Sequence, residues 1–331
     1  MKAVLPAVLL VALSAPVAPP KPAEARPFRA VFLSDFNGPY GSTTYPAPLA
    51  RVMQRIVNEW KPDIVLSAGD VVGAQKLTLT NAQRRAMWQA FDRNVAAPLR
   101  KAGIPSAFAV GNHDGSSLRN ARGRFVYQAD RAALAAYWRE PAHRPALPLS
   151  DASRFPFAYT FVFRGVFFAV VDASSNELQD RAWLEAQLAS PAALGARLRV
   201  VIGHLPLAGF SSERNTAGDV LRDAAALRAL FERAGVLAYV SGHHAAYYPG
   251  RLGELNVLAT GGIGGRDYVG HPGTARSTVT VADFDPAGGV MKLRTFDAAS
   301  GAEVPVGSLP PRIEGLGGPV VRVTEFRRSG P

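Results

Sequence analysis

No cysteine occurs among the 331 residues. Disulfides, thiolate metal sites and a lipid-anchored lipoprotein terminus are therefore excluded, while the redox compartment stays open. The apolar stretch Ala3 to Ala18 is shorter than the roughly 20 residues a membrane span needs and carries Pro6 and Pro16. No stable membrane span is expected. Basic residues never gather into a run of five or six, so a dedicated nucleic-acid surface is possible but not favoured. No internal repeat and no clear dividing linker interrupts the chain.

What is present is the profile of a folded globular protein: 48% hydrophobic and 19% charged residues, with a mean hydropathy of +0.03. The net charge of +11 favours anionic partners such as phosphate esters. The densest basic group is Arg119, Arg122 and Arg124. Met1-Lys2, the apolar stretch, and Ala23-Glu24-Ala25 have the order of a secretory leader, predicting residues 1–25 as a signal peptide and an exported, periplasmic or extracellular protein.

From Arg29 to about Val201, apolar strands alternate with amphipathic helices; the second half is richer in strands. Strands are expected at 30–33, 62–68, 104–110, 198–202, 236–240 and 256–260, with a hairpin at 157–171 around Arg164-Gly165. Helices are expected at 49–60, 81–100, 177–188 and 219–234. This order predicts an α/β fold with two packed sheets and outer helices, as one domain over 26–300 followed by a tail at 301–331 that packs on the domain or trails it.

Five polar clusters each follow an apolar strand: Asp35-Phe36-Asn37, Gly69-Asp70, Gly111-Asn112-His113-Asp114, Gly203-His204 and Gly242-His243-His244. In α/β sheets ligands bind at the carboxyl ends of strands, so the five can converge. Four of the six histidines lie in these clusters. Carboxylate, imidazole and amide oxygen together suit Mn, Fe or Zn better than Mg or Ca. Adjacent residues of a strand point to opposite faces, so His243 and His244 are not both expected to reach one ion. Tyr40 and Tyr45 are candidates to line a substrate pocket, and Gly261–Gly265 reads as a tight turn near the site. His143 and His271 read as surface or loop residues.

The ordered set resembles the calcineurin-like metallophosphoesterase family, which includes purple acid phosphatases, phosphodiesterases and repair nucleases, over roughly Phe28 to Phe296. The family pattern is D-x-H, GD, GNH[DE], GH and GHxH. The resemblance implies a double β-sheet sandwich flanked by helices, and one or two divalent transition-metal ions that bind phosphoryl oxygens and activate water for attack on phosphorus. It implies Asp70 as a bridging carboxylate, Asn112, His204 and His243 at one metal, and Asp35 at the other. It implies His113 as the acid protonating the leaving oxygen, with Asp114 orienting it.

Two departures stand out, both at the same ion. Asn37 and Ala245 occupy the positions of two family histidines. Asn37 still offers an amide oxygen; Ala245 offers nothing; His244 contributes only if the loop leaves strand geometry. Gly73 stands where purple acid phosphatases place a tyrosine ligand. The expected function is hydrolysis of phosphate mono- or diesters. A non-catalytic metal- or phosphate-binding relative and a nuclease are the alternatives.

Overall fold

The computed structural model describes residues 25–328. The expected leader thus lies outside the described residues, save Ala25. The strands in chain order are β1 (Phe28–Phe32), β2 (Ile64–Ser67), β3 (Ser106–Phe108), β4 (Leu149–Arg154), β5 (Ala158–Phe163), β6 (Val166–Val170), β7 (Leu198–Ile202) and β8 (Ala238–Ser241). There follow β9 (Tyr248–Leu252), β10 (Leu255–Ala259), β11 (Thr278–Asp285), β12 (Val290–Asp297), β13 (Glu303–Val304), β14 (Arg312–Gly315), β15 (Gly318–Arg322) and β16 (Glu325–Arg327). The helices are α1 (Pro48–Arg55), α2 (Asn81–Phe91), α3 (Ala97–Lys101), α4 (Asn112–Gly115), α5 (Gln128–Arg139), α6 (Arg181–Leu188), α7 (Pro191–Leu194) and α8 (Ala224–Arg233).

Two sheets form the centre. The seven-stranded sheet has the order β13-β12-β11-β1-β2-β3, with β16 also paired to β12. The nine-stranded sheet runs β14-β15-β9-β10-β8-β7-β6-β5-β4. Strands β1, β2 and β3 are parallel to one another, as are β6, β7, β8 and β10. The parallel strands of each sheet therefore deliver their carboxyl-end loops to one side.

Alternation along β1 explains the layering. Phe28, Ala30 and Phe32 face the core shared with the other sheet, where Phe28 stacks on Phe284 at 4.6 Å and meets Phe163 at 5.1 Å. Val31 and Leu33 face the opposite way, onto α1, α2, α3 and α5 through Val52, Met53, Phe91, Leu99 and Trp138. Helices α6, α7 and α8 cover the nine-stranded sheet with Leu184, Leu188, Ala193, Leu227 and Phe231. Each phenylalanine buried between the sheets contributes about 1.5–3 kcal/mol relative to an exposed ring. The expected hairpin turns at Arg164-Gly165 with φ of 45° and 84°, a pairing of positive angles that suits the twist of β5 and β6.

Three differences from the expected elements bear on function. The helix expected from Asp219 begins only at Ala224, leaving Asp219 in a turn closed by Thr216 Oγ1, which donates to its Oδ2 at 2.6 Å. A polar side chain that caps its own loop competes with helix formation. The strand expected at 104–110 is only Ser106–Phe108, because the chain leaves the sheet to form the loop before α4. The segment after residue 301 is woven into both sheets as β13 to β16. Its strands are short and divided by proline and glycine, which hides their period.

Candidate metal centre and active site

All five clusters meet at the seam of the two sheets. Asp35, Asp70 and Asn112 come from the loops after β1, β2 and β3; His204 and His243 come from those after β7 and β8. The loops bend sharply: φ is 49° at Asp35, 57° at Asp70, 63° at Gln75, 64° at His243 and 46° at Ala245. Non-glycine residues rarely adopt this left-handed conformation, and such strain collects where a site needs it. Close backbone approach is needed too. A Cβ on Gly111 would fall 2.1 Å from Asp70 Oδ1, and one on Gly242 would fall 2.5 Å from Asp35 Oδ2.

The donor atoms carry the chemistry. His204 Nδ1 lies 2.7 Å from the Ala68 carbonyl, an acceptor, and therefore carries a proton in either charge state of the ring. In the neutral ring its Nε2 presents a lone pair, yet it faces Asn112 Oδ1 at 2.8 Å and Asp70 Oδ2 at 3.3 Å, both acceptors. Asn112 donates its Nδ2 to Gln75 Oε1 at 2.7 Å, which fixes Oδ1 as the inner atom. His243 Nε2 donates to Asp219 Oδ1 at 3.1 Å, and its Nδ1 faces the same Asn112 Oδ1 at 2.9 Å. Lone pairs on Asp70 Oδ2, Asn112 Oδ1, His204 Nε2 and His243 Nδ1 thus converge on one point. Only protons or a cation can relieve that repulsion. Among the described residues, Asp70, His204 and His243 bring ligand atoms within 4.8 Å of one another. Four N and O donors, each imidazole oriented through its other nitrogen, fit a divalent transition metal.

Titration behaviour fits that arrangement. Burial lowers the His204 pKa, but the Asp70 carboxylate outweighs it and lifts it to about 9. Burial pushes the Asp70 carboxyl up; His204 and then His113 outweigh it and hold it below the usual carboxylate range. Burial takes the His243 imidazole down to about 4, against the pull of Asp219. Asp35 is raised by burial, with His204 opposing and the Asp70 charge adding.

Not every expected residue joins the cluster. His244 is fully buried, but its Nδ1 accepts from the backbone N–H groups of Phe210 and Ser211 at 3.0 and 3.3 Å. Its Nε2 donates to the Asp219 carbonyl at 3.0 Å. Both nitrogens are consumed, so His244 is a strut for the loop and has no lone pair for an ion. The pair diverges because the chain leaves β8 at Ser241 and turns left-handed at His243, rather than because of strand alternation. Asp114 does not touch His113 as expected. Its two oxygens accept from the backbone N–H groups of Asp70, Val71, Val72 and Gly111, at 2.8 to 2.9 Å, so it shapes the loop that carries Asp70. Burial, and then the Asp70 charge, push its pKa up to about 7 against the donors of Val72, Gly111 and Val71. Asn37 donates Nδ2 to the Gly38 carbonyl at 3.2 Å and lines the cleft.

His113 stands at the mouth. Its backbone N–H donates to Asp70 Oδ1 at 2.9 Å, its Nε2 lies 4.0 Å from Asp70 Oδ2, and its buried Nδ1 has no partner. The exposed ring of Tyr40 lies 5.2 Å from the His113 ring, whereas Tyr45 is tied down, donating to the Val71 carbonyl at 3.0 Å. The Gly261–Gly265 turn forms part of the wall, Gly262 packing against Asp35. A cleft of about 450 Å³ opens over Asp35, Asp70, His113 and His243, with Arg214 and Arg266 on its rim. A second, of about 320 Å³, adjoins it past Tyr40 and His113, lined by Gln75, Ser174, Ser175 and Leu118. Asp219, Gln75, Arg214 and Arg266 carry no motif signal; only their position in the fold assigns them to the site.

The sequence model described as calcineurin-like phosphoesterase matches residues 28–247. No curated protein matches the chain. Among solved structures, a purple acid phosphatase from yellow lupin seeds superposes with a TM-score of 0.59 at 17% identity, over 87% of this chain and 54% of that one. This chain thus spans about half the length of the lupin protein. GAP50, described as the anchor in the inner membrane complex of Plasmodium, gives 0.51 at 15% identity, over 83% and 86%. A dimetal phosphatase from Danio rerio gives 0.50 at 13% identity, over 84% and 98%. At these identities the likeness concerns the fold.

Proposed function

The chain belongs to the calcineurin-like phosphoesterases, and from that premise we propose that it hydrolyses phosphate mono- or diesters by direct attack of water on phosphorus. The observation that carries this reading is the convergence of four lone pairs from Asp70, Asn112, His204 and His243 beneath an open cleft that Asp70 and His243 line. These four residues would hold the ion. When bound, it supplies Lewis acidity toward the phosphoryl oxygens and lowers the pKa of a coordinated water.

The remaining tasks fall to the protein. Arg214 and Arg266 on the cleft rim attract the anionic ester. His113, its main chain pinned by Asp70, presents its imidazole to the cleft and donates a proton to the departing oxygen. Asp114 holds the Asp70 loop in its left-handed shape. The leader-like residues 1–25 support export, which N-terminal sequencing of protein recovered outside the cytoplasm checks.

The test is hydrolysis of an aryl phosphate monoester and the matching diester with added Mn. We expect at least one to be cleaved, the rate collapsing in His204→Ala. Failure to cleave either at any metal level, with no difference between wild type and variant, would leave a binding protein without turnover.

A further inference from the structure

Resting on the phosphoesterase reading, we propose that this centre takes a single ion and that the Arg266 guanidinium supplies the second positive charge, gripping the phosphoryl oxygens of the substrate. Beside the four converging donors, a second set is incomplete. Asp35 Oδ1 is already engaged by the His243 backbone N–H at 2.8 Å, leaving Oδ2 as its free donor, without a partner and closed off from solvent. Asn37 turns its amide nitrogen onto Gly38, which leaves only its neutral amide oxygen as a donor, and Ala245 ends at Cβ. Two carboxylates and a neutral amide oxygen, with no imidazole, suit a transition metal less well than the four donors beside them.

A fixed cation lies alongside this deficit. The Arg266 backbone N–H donates to the Ala245 carbonyl at 2.8 Å, so the arginine is tied to the residue that replaces the missing ligand. Its Nη1 donates to the His243 carbonyl at 3.2 Å and its Nε to Glu213 at 3.2 Å. Nη2 makes no hydrogen bond among the described residues, and the side chain lines the cleft with Asp35, Asp70 and His113. The two N–H groups of Nη2 remain to donate to phosphoryl oxygens, as charge-assisted hydrogen bonds.

The experiment measures bound Mn by elemental analysis after metal-replete purification of the full chain. It also measures inorganic phosphate binding to the loaded protein by calorimetry, in wild type, Arg266→Ala and Arg266→Lys. The expected result is close to one Mn per chain in all three. Phosphate affinity should fall about 10–100-fold in the alanine variant and recover in part with lysine. Retained Mn in Arg266→Ala shows that the variant is folded. Close to two Mn in wild type, with ester hydrolysis intact, overturns the single-ion assignment and leaves the phosphoesterase reading standing. Unchanged phosphate affinity in Arg266→Ala overturns the role of the arginine. No bound Mn and no hydrolysis in wild type would defeat both readings together.

Discussion

Each imidazole of the cluster is defined by what its far nitrogen touches. Asp219 is the clearest instance: its carboxylate takes His243 and its carbonyl takes His244, so one residue separates a ligand from a strut. Asp219→Asn leaves the shape but weakens the acceptor, and metal affinity should drop about 10–100-fold in a titration with a competing chelator. His204 gives a pH prediction. Its metal-free pKa is raised from the usual 6.5 to about 9, so at neutral pH the ring is protonated and an ion must displace that proton. Metal loading at pH 7 should release about one proton from His204, read by calorimetry in buffers of different ionisation enthalpy. Affinity should weaken as pH falls, and release from this ring should vanish above about 9. Asp70, Asn112, His204 and His243 were legible in the sequence because each ends an apolar strand. Asp219 and Gln75 were not, since their partners lie 24 and 37 residues away and no local pattern encodes that distance.

At the level of elements, the site depends on loops held by buried polar groups more than on the strands they follow. Asp114 satisfies four backbone N–H groups that would otherwise be orphaned where β2 and β3 end. Asp114→Ala should cost more than about 3 kcal/mol in denaturant unfolding, through those unsatisfied donors. The same change should release the Asp70 loop and abolish metal binding, whereas a mere loss of His113 orientation would leave both stability and metal content intact. A second brace runs from Arg84 through Asp130 to the Gln75 backbone, and from the Gln75 side chain to Asn112. The sequence conveyed the strands and most helices through their periods. It did not convey Asp219 as a turn residue, because Asp219 to Ala234 keeps a helical pattern until tertiary contacts claim its first residues. It did not convey Asp114 as a loop anchor, because a carboxylate beside a histidine reads equally well as its partner.

For the whole molecule, the controlling fact is how far apart in the chain the paired strands are. β1 sits between β2 and β11, its Arg29 opposite Asp283 and joined to it by a salt bridge of 2.8 Å. The last described strands finish both sheets: β13 and β16 pair with β12, while β15 pairs with β9. A chain ending at Ser300 should therefore lose its cooperative thermal transition by circular dichroism; a midpoint within a few degrees of the full chain would show the tail to be dispensable. The two-sheet sandwich was readable from the order of the strands, but the weaving of the tail into both sheets was not, because its strands are two to five residues long. This late closure also bears on which metal the protein acquires. Asp35 and His243 meet across a separation of 208 residues, and contacts of such range form slowly, so the donor atoms from both sheets come together late in folding. If the leader carries the chain out of the cytoplasm before it folds, the ion in the site is chosen by the compartment of arrival, whatever metal was most abundant where the chain was synthesised.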